Sequence, residues 1–141
     1  MSELGRKILA KFQGRPFLAS LATITEEGKP WSRYVTPTMD EDLTLWVTTF
    51  KGSRKVGHME RNPEVHLNTG VTDLATAESY VQIQGRAEVL SDSATRRKVW
   101  REELARYFSG PDDPNYVVVK IRPYRIEYQV MAPAPPEVWE A

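Results

Sequence analysis

The chain has 141 residues, 40% of them hydrophobic and 27% charged, and its 19 basic and 19 acidic side chains cancel. One globular domain with a buried core is the natural expectation, and the charge balance argues against nucleic acid or an anionic membrane as the main partner. There is no cysteine, which excludes disulfides, thiolate nucleophiles and cysteine-ligated metals; the opening MSELGRKILAKF has no uninterrupted apolar run, so a cytoplasmic protein without signal peptide or membrane span is expected.

Leu4, Ile8 and Phe12 share one helical face, and Gly14 can end that helix. Phe17 to Thr25 is mostly apolar and reads as a strand buried on both faces. Glu26-Glu27-Gly28-Lys29 is a turn with glycine at a positive-φ position. Pro30 opens a second strand, PWSRYVTPT, in which Arg33 and Val35 point one way while Ser32, Tyr34 and Thr36 point the other. Met39 to Asp42 makes an acidic turn.

Leu43 to Val56 (LTLWVTTFKGSRKV) carries the strongest chemical signal. Leu43, Leu45 and Val47 alternate with Thr44, Trp46 and Thr48, the period of a half-buried strand. Phe50-Lys51-Gly52 breaks the alternation, and Ser53 stands where a helix N-cap belongs, with Arg54 and Lys55 in the first turn. Cations there oppose the helix dipole by a few tenths of a kcal/mol up to about 1. A bound anion removes the conflict: free backbone N–H groups, a hydroxyl, a guanidinium and an ammonium make a phosphate cup, to which Thr48 and Thr49 could add donors. A solvated basic turn is the simpler reading of Ser-Arg-Lys taken alone; the strand before it favours the cup.

The helix from Ser53 carries Val56 and Met59 inward and stops before Asn62-Pro63. Pro63 to Gly70 holds a short strand, Thr69 to Glu78 a loop, and Ser79 to Leu90 a strand of strict alternation with one core face. Ser91 or Asp92 caps a longer helix with Trp100, Leu104, Tyr107 and Phe108 on one core-facing side. Tyr116 to Arg122 is a strand that Pro123 interrupts and Tyr124 to Val130 continues; the tail MAPAPPEVWEA is proline-rich and extended. Six strands joined by short turns imply antiparallel pairing, and barrel closure removes exposed edges. The expected fold is mostly β with flanking helices, a six-stranded antiparallel split barrel in one domain over residues 1–141.

The only histidines are His58 and His66, and no third ligand for a shared metal is evident. No Walker A, G-x-G-x-x-G or G-x-S-x-G motif is present, so no catalytic residue can be named. Trp31 and Trp139, in polar surroundings, suit stacking on a planar ligand or a dimer interface. A phosphate cup beside a strand presenting Arg33 suits a phosphorylated planar cofactor, which would carry the chemistry itself.

FLASLATI, GKPWSRYVTP, LWVTTFKGSRKV, NPEVHL, YVQIQGRAEVL and VVVKIRPYRIEY span nearly the whole chain. Together they resemble the flavin-binding split-barrel proteins related to pyridoxamine 5'-phosphate oxidase, nearest to the short bacterial general stress proteins. The resemblance implies FMN, with Arg33, Tyr34, Val35 and Thr36 along the flavin ring and ribityl chain, and Thr48, Thr49, Ser53, Arg54 and Lys55 on the phosphate. It implies a homodimer with flavin at the interface and an oxidoreductase of unknown substrate. A non-enzymatic flavin-binding stress or sensor protein is the second reading, and a deazaflavin or haem in place of FMN the third. The chain ends Val138-Trp139-Glu140-Ala141 without the arginine–histidine motif of the true vitamin B6 oxidases, so oxidation of pyridoxamine phosphate is not expected. Gln129 follows Glu127-Tyr128 where relatives often have tryptophan, and Trp139 is the candidate to replace that ring.

Overall fold

The structure is a computed structural model that describes residues Met1 to Ala141. Helix α1 (Glu3–Phe12) begins where the Ser2 hydroxyl accepts from the Gly5 N–H at 3.0 Å, and it buries Ile8 and Phe12. Strands β1 (Ala19–Ile24) and β2 (Pro30–Val35) form a hairpin whose turn places Gly28 at φ +78°. Alternate residues of β1 are buried, so the strand is half-buried rather than covered on both faces.

Two strand boundaries differ from expectation. Thr38–Met39 is not part of the acidic turn but a short strand, β3, paired with β4 (Leu45–Phe50). The turn is Asp40 to Thr44: Leu43 donates to the Asp40 carbonyl, and Asp40 and Thr44 close the loop at 2.8 Å. This tightness puts Leu43 at φ +71°, off the strand, although its side chain is buried. Helix α2 (Arg54–Arg61) and strands β5 (Glu64–Thr69), β6 (Ser79–Leu90) and β7 (Tyr116–Val130) follow.

The sheet runs β2-β1-β5-β6-β7-β4-β3 and is antiparallel throughout, with β8 (Glu137–Glu140) added beside β7. β2 and β3 are its outer strands, yet only Thr36 and Pro37 join them. That stretch reaches roughly 10 Å at most, so the sheet curls until its edges meet. The result is an antiparallel split half-barrel around an 18-residue core that includes Leu21, Leu67, Ile83 and Ile126. The six expected strands are all present; β3 and β8 are additional. The extended tail adds a strand to the sheet: Trp139 pairs opposite Ile126 and packs against the core.

Pro123 does not end β7. The register slips between Gln84 and Gly85, which face Arg125 and Pro123, leaving Tyr124 as the extra residue. A bulge absorbs the missing proline N–H. The backbones approach closely here: a Cβ on Gly85 would lie 2.9 Å from Ile121 Cγ2 and 3.0 Å from the Arg122 carbonyl oxygen.

The expected long helix after Asp92 is broken. Helix α3 (Ser93–Val99) is capped by the Asp92 carboxylate, Trp100 is extended at ψ 138°, and a 3-10 turn (Glu102–Arg106) follows. The Tyr116 hydroxyl donates to the Arg96 carbonyl at 2.9 Å, taking the acceptor that the next helical N–H would use. The break lets Leu104 and Phe108 pack with Trp46, Tyr116 and Val118 in a second, smaller cluster. Tyr107, expected in the core, is 60% exposed.

Candidate functional site

Helix α2 starts at the end of β4, and its first turn divides two grooves. Ser53 has N-cap geometry, but its hydroxyl caps nothing; its neighbour is the Thr49 hydroxyl at 3.4 Å. The amides of the first turn thus lack a side-chain partner, the arrangement that suits an anion.

On one side lies a groove of about 310 Å³ where Thr48 and Thr49 of β4 meet Lys55. Tyr34, Val35 and Thr36, at the free end of edge strand β2, form a second wall. Leu104, Tyr107 and Phe108 form a third, with Leu18, Phe50 and Arg101 around them. Six of the nine expected site residues therefore converge. Leu18 and the wall from 101 to 108 were not anticipated, because only the break at Trp100 swings that segment over the groove.

Arg33, Ser53 and Arg54 do not line this groove. Adjacent helix residues are about 100° apart, so Arg54 and Lys55 cannot share a face. The Arg54 guanidinium lies over the Trp31 ring, 5.5 Å from its centroid, and faces the opposite groove. Trp31 is thus engaged by a cation. Trp139 is likewise no part of the Thr48–Lys55 groove; it lies beside Leu4 and Leu43 at the other end of the sheet.

Arg33 faces inward. It sits opposite Leu21 in the hairpin register, and directly opposed residues share a sheet face. Its Nη1 donates to the Leu21 carbonyl at 3.2 Å and to Thr23 Oγ1 at 2.7 Å. Thr23, fully buried, is also 2.8 Å from His58 Nδ1. A guanidinium only donates, so Thr23 accepts from Arg33 and its own proton is left for His58 Nδ1. The network thereby assigns a neutral His58 protonated at Nε2. Burial, then Arg33, Arg61 and Arg54, holds its pKa below the usual 6.5, against a weaker opposing pull from Glu26. His58 is thus held at Nδ1 by Thr23.

The electrostatics of the helix start are one-sided. Burial and then the Arg54 charge lower the Arg33 pKa; burial and then the Arg33 charge lower that of Lys55. None of the protein's ion pairs includes Arg33, Arg54 or Lys55. Three cations crowd one helix end with no carboxylate bound to any of them. No group of histidine and carboxylate side chains could hold a metal ion.

Residues 6–130 match the family model described as pyridoxamine 5'-phosphate oxidase. The chain belongs to that family. It is 37% identical over 106 residues to general stress protein 26 of Bacillus subtilis, covering 75% of this chain and 74% of that protein. The crystal structure of general stress protein 26 from Bacillus anthracis superposes with a TM-score of 0.82 at 31% identity, covering 99% of this chain and 100% of that one. A Clostridium acetobutylicum protein described as related to general stress protein 26 has a TM-score of 0.74 at 21% identity, covering 87% of this chain and 84% of that one, a likeness of fold alone. These relatives share the split half-barrel. No helix of the structure is long and apolar enough to cross a membrane.

Proposed function

We propose that this member of the pyridoxamine 5'-phosphate oxidase family is an FMN-binding flavoprotein acting as an oxidoreductase, with its flavin in the Thr48–Lys55 groove. The observation that carries the reading is the unpaired cluster of Arg33, Arg54 and Lys55 at an uncapped helix start. A phosphate dianion supplies the charge that is missing there. The apolar walls from Tyr34, Val35, Tyr107 and Phe108 suit a planar ring.

Bound FMN would bring the redox chemistry, since the groove holds no acid–base pair of its own. The chain's residues bind, orient and shield. Lys55 and the first-turn amides hold the anion, with the Thr48, Thr49 and Ser53 hydroxyls as further donors. Arg33, fixed by Leu21 and Thr23, sets the local field from behind the sheet edge. Phe108 and Val35 keep water from one side of the ring.

At about 310 Å³ the groove is small for a whole flavin nucleotide, and Tyr34, Tyr107, Phe50 and Leu18 on its rim are about half exposed or more. A second copy of the chain would complete and cover it, and we propose a homodimer with flavin at the interface. Light scattering of the purified protein should give twice the chain mass; a flavin-loaded monomer would refute the dimer.

Purified protein should be yellow, and heat should release FMN. Combined Arg54→Ala and Lys55→Ala should strip the flavin while leaving the fold intact, because a charge-assisted contact such as that of Lys55 contributes roughly 1.5–3 kcal/mol and the Arg54 charge at the same helix end adds to the field that holds the dianion. Unchanged flavin content in that variant, or release of a deazaflavin or haem, overturns the proposal.

A further inference from the structure

We infer that a second cavity, between the β3–β4 hairpin and the break after α3, is a binding site for a small phosphate monoester dianion. It has a volume of about 310 Å³. It shares only Arg101 with the flavin groove and needs no flavin to exist.

Three distant stretches of chain build it. Gly14, at φ +89°, turns the backbone after α1 in a conformation that favours glycine, and Arg15 thereby reaches the cavity wall. The hairpin contributes Thr38, Asp40 and Trp46. The end of α3 contributes Lys98, and Arg101 follows from the extended backbone at Trp100.

The cations on these walls lack adequate partners. Arg15 is in no ion pair. Lys98 and Arg101 reach Asp40 and Glu103 only at 3.6 Å, beyond hydrogen-bond length. Arg101 is the sharper case, because its side chain is only 24% exposed while that of Glu103 is 75% exposed. A largely buried guanidinium whose nearest carboxylate lies out in water is short of an acceptor. Asp40 is the only carboxylate lining the cavity, and its Oδ2 already accepts from Trp46 Nε1 at 2.7 Å. Three cations against one carboxylate leave two surplus positive charges. That surplus matches a phosphate dianion; a single carboxylate would leave half of it unbalanced. Guanidiniums also fit phosphate oxygens in pairs, and the Gly14 and Arg15 amides, which have no acceptor in the protein, add neutral donors. At roughly 30 Å³ per water the cavity has room for about ten, more than a bare phosphate displaces, and Met39 and Val99 offer apolar wall to a short carbon chain.

The test is a titration of glycerol 3-phosphate into FMN-saturated protein at pH 8, above the second phosphate pKa of about 6, followed by calorimetry and by amide and indole NMR shifts. Shifts should centre on the Arg15 amide and the Trp46 indole N–H. Uncharged glycerol should not bind, and glycerate, with one charge, should bind about tenfold more weakly. Combined Arg15→Ala and Lys98→Ala should weaken binding about tenfold or more, with flavin content and thermal midpoint unchanged. The charge-matched pair Lys29→Ala with Arg61→Ala, on a different groove, should leave binding unchanged. Equal losses in the two double variants mean bulk charge and no site. Shifts confined to Ser53–Lys55, or displacement of the probe by excess FMN, place it in the first groove. Each of these results overturns the inference, as does an absence of binding. A chain that takes up no flavin defeats the first reading alone: the shifts at Arg15 and Trp46 should still appear.

Discussion

The two sides of α2 are built from the same short helix and differ in nearly everything else. On the Lys55 side the helix meets strand ends and an aromatic wall, so its cation is half-buried among apolar residues. On the Arg54 side it meets a charged turn, and its cations stay near water around one tryptophan. The contrast shows how two consecutive basic residues of one helix come to sit in different surroundings. A half-buried ammonium next to Arg33 is costly without an anion, so that side is tuned for a tightly held group. Exposed guanidiniums are cheap to solvate.

The sharpest way to break this contrast is Lys55→Ala. Flavin affinity should fall roughly 10- to 150-fold, the equivalent of one charge-assisted contact, whereas Arg61→Ala should change it less than about twofold. Equal losses, measured by fluorescence titration with FMN, would mean that the two sides are one site. Thr23→Val tests what joins them. It leaves Arg33 and His58 each short of a buried partner, at a cost of about 1–3 kcal/mol, and denaturant unfolding should show it. Gly85→Ala is the control remote from both sides. Crowding against Ile121 and Arg122 should cost about 1–3 kcal/mol, with the affinity of the folded protein for FMN unchanged.

The smallest effect is in pH. The folded-state pKa values of His58 and His66 lie below the usual 6.5, chiefly through burial. The unfolded chain therefore binds protons first as pH falls, and stability present above about 6.5 declines toward the depressed values. The thermal midpoint should drop between pH 7.5 and 5.5, and His58→Gln should drop less. An identical slope in the variant would mean that His58 ionises as freely in the folded state as in the unfolded one.

Strand positions were largely legible in the sequence because a period of two and turn residues report on local geometry. Gly28 at positive φ, the Ser79–Leu90 strand and the start of α2 all follow from it. The helix after Asp92 was not legible past Val99, because the hydroxyl that takes the Arg96 carbonyl comes from Tyr116. The pairing of Trp139 in the extended tail with Ile126 was not legible, because no local pattern encodes that strand pairing. Tyr34, Val35, Thr36, Thr48, Thr49 and Lys55 line one groove in the structure; where Arg33 and Arg54 lie was not legible, since their neighbours are set by the hairpin register and by Trp31.

Local chemistry alone dictated that a basic helix start follows a β-strand in a mostly antiparallel protein; that Ser53 leaves it uncapped came from the structure. Composition and periodicity act over a few residues, and those few suffice for that much. Which cation faces which groove, what walls each groove has, and that His58 is locked through Thr23 to Arg33 required the curled sheet. Contacts between residues dozens of positions apart depend on how the sheet closes, and no short stretch of chain carries that information.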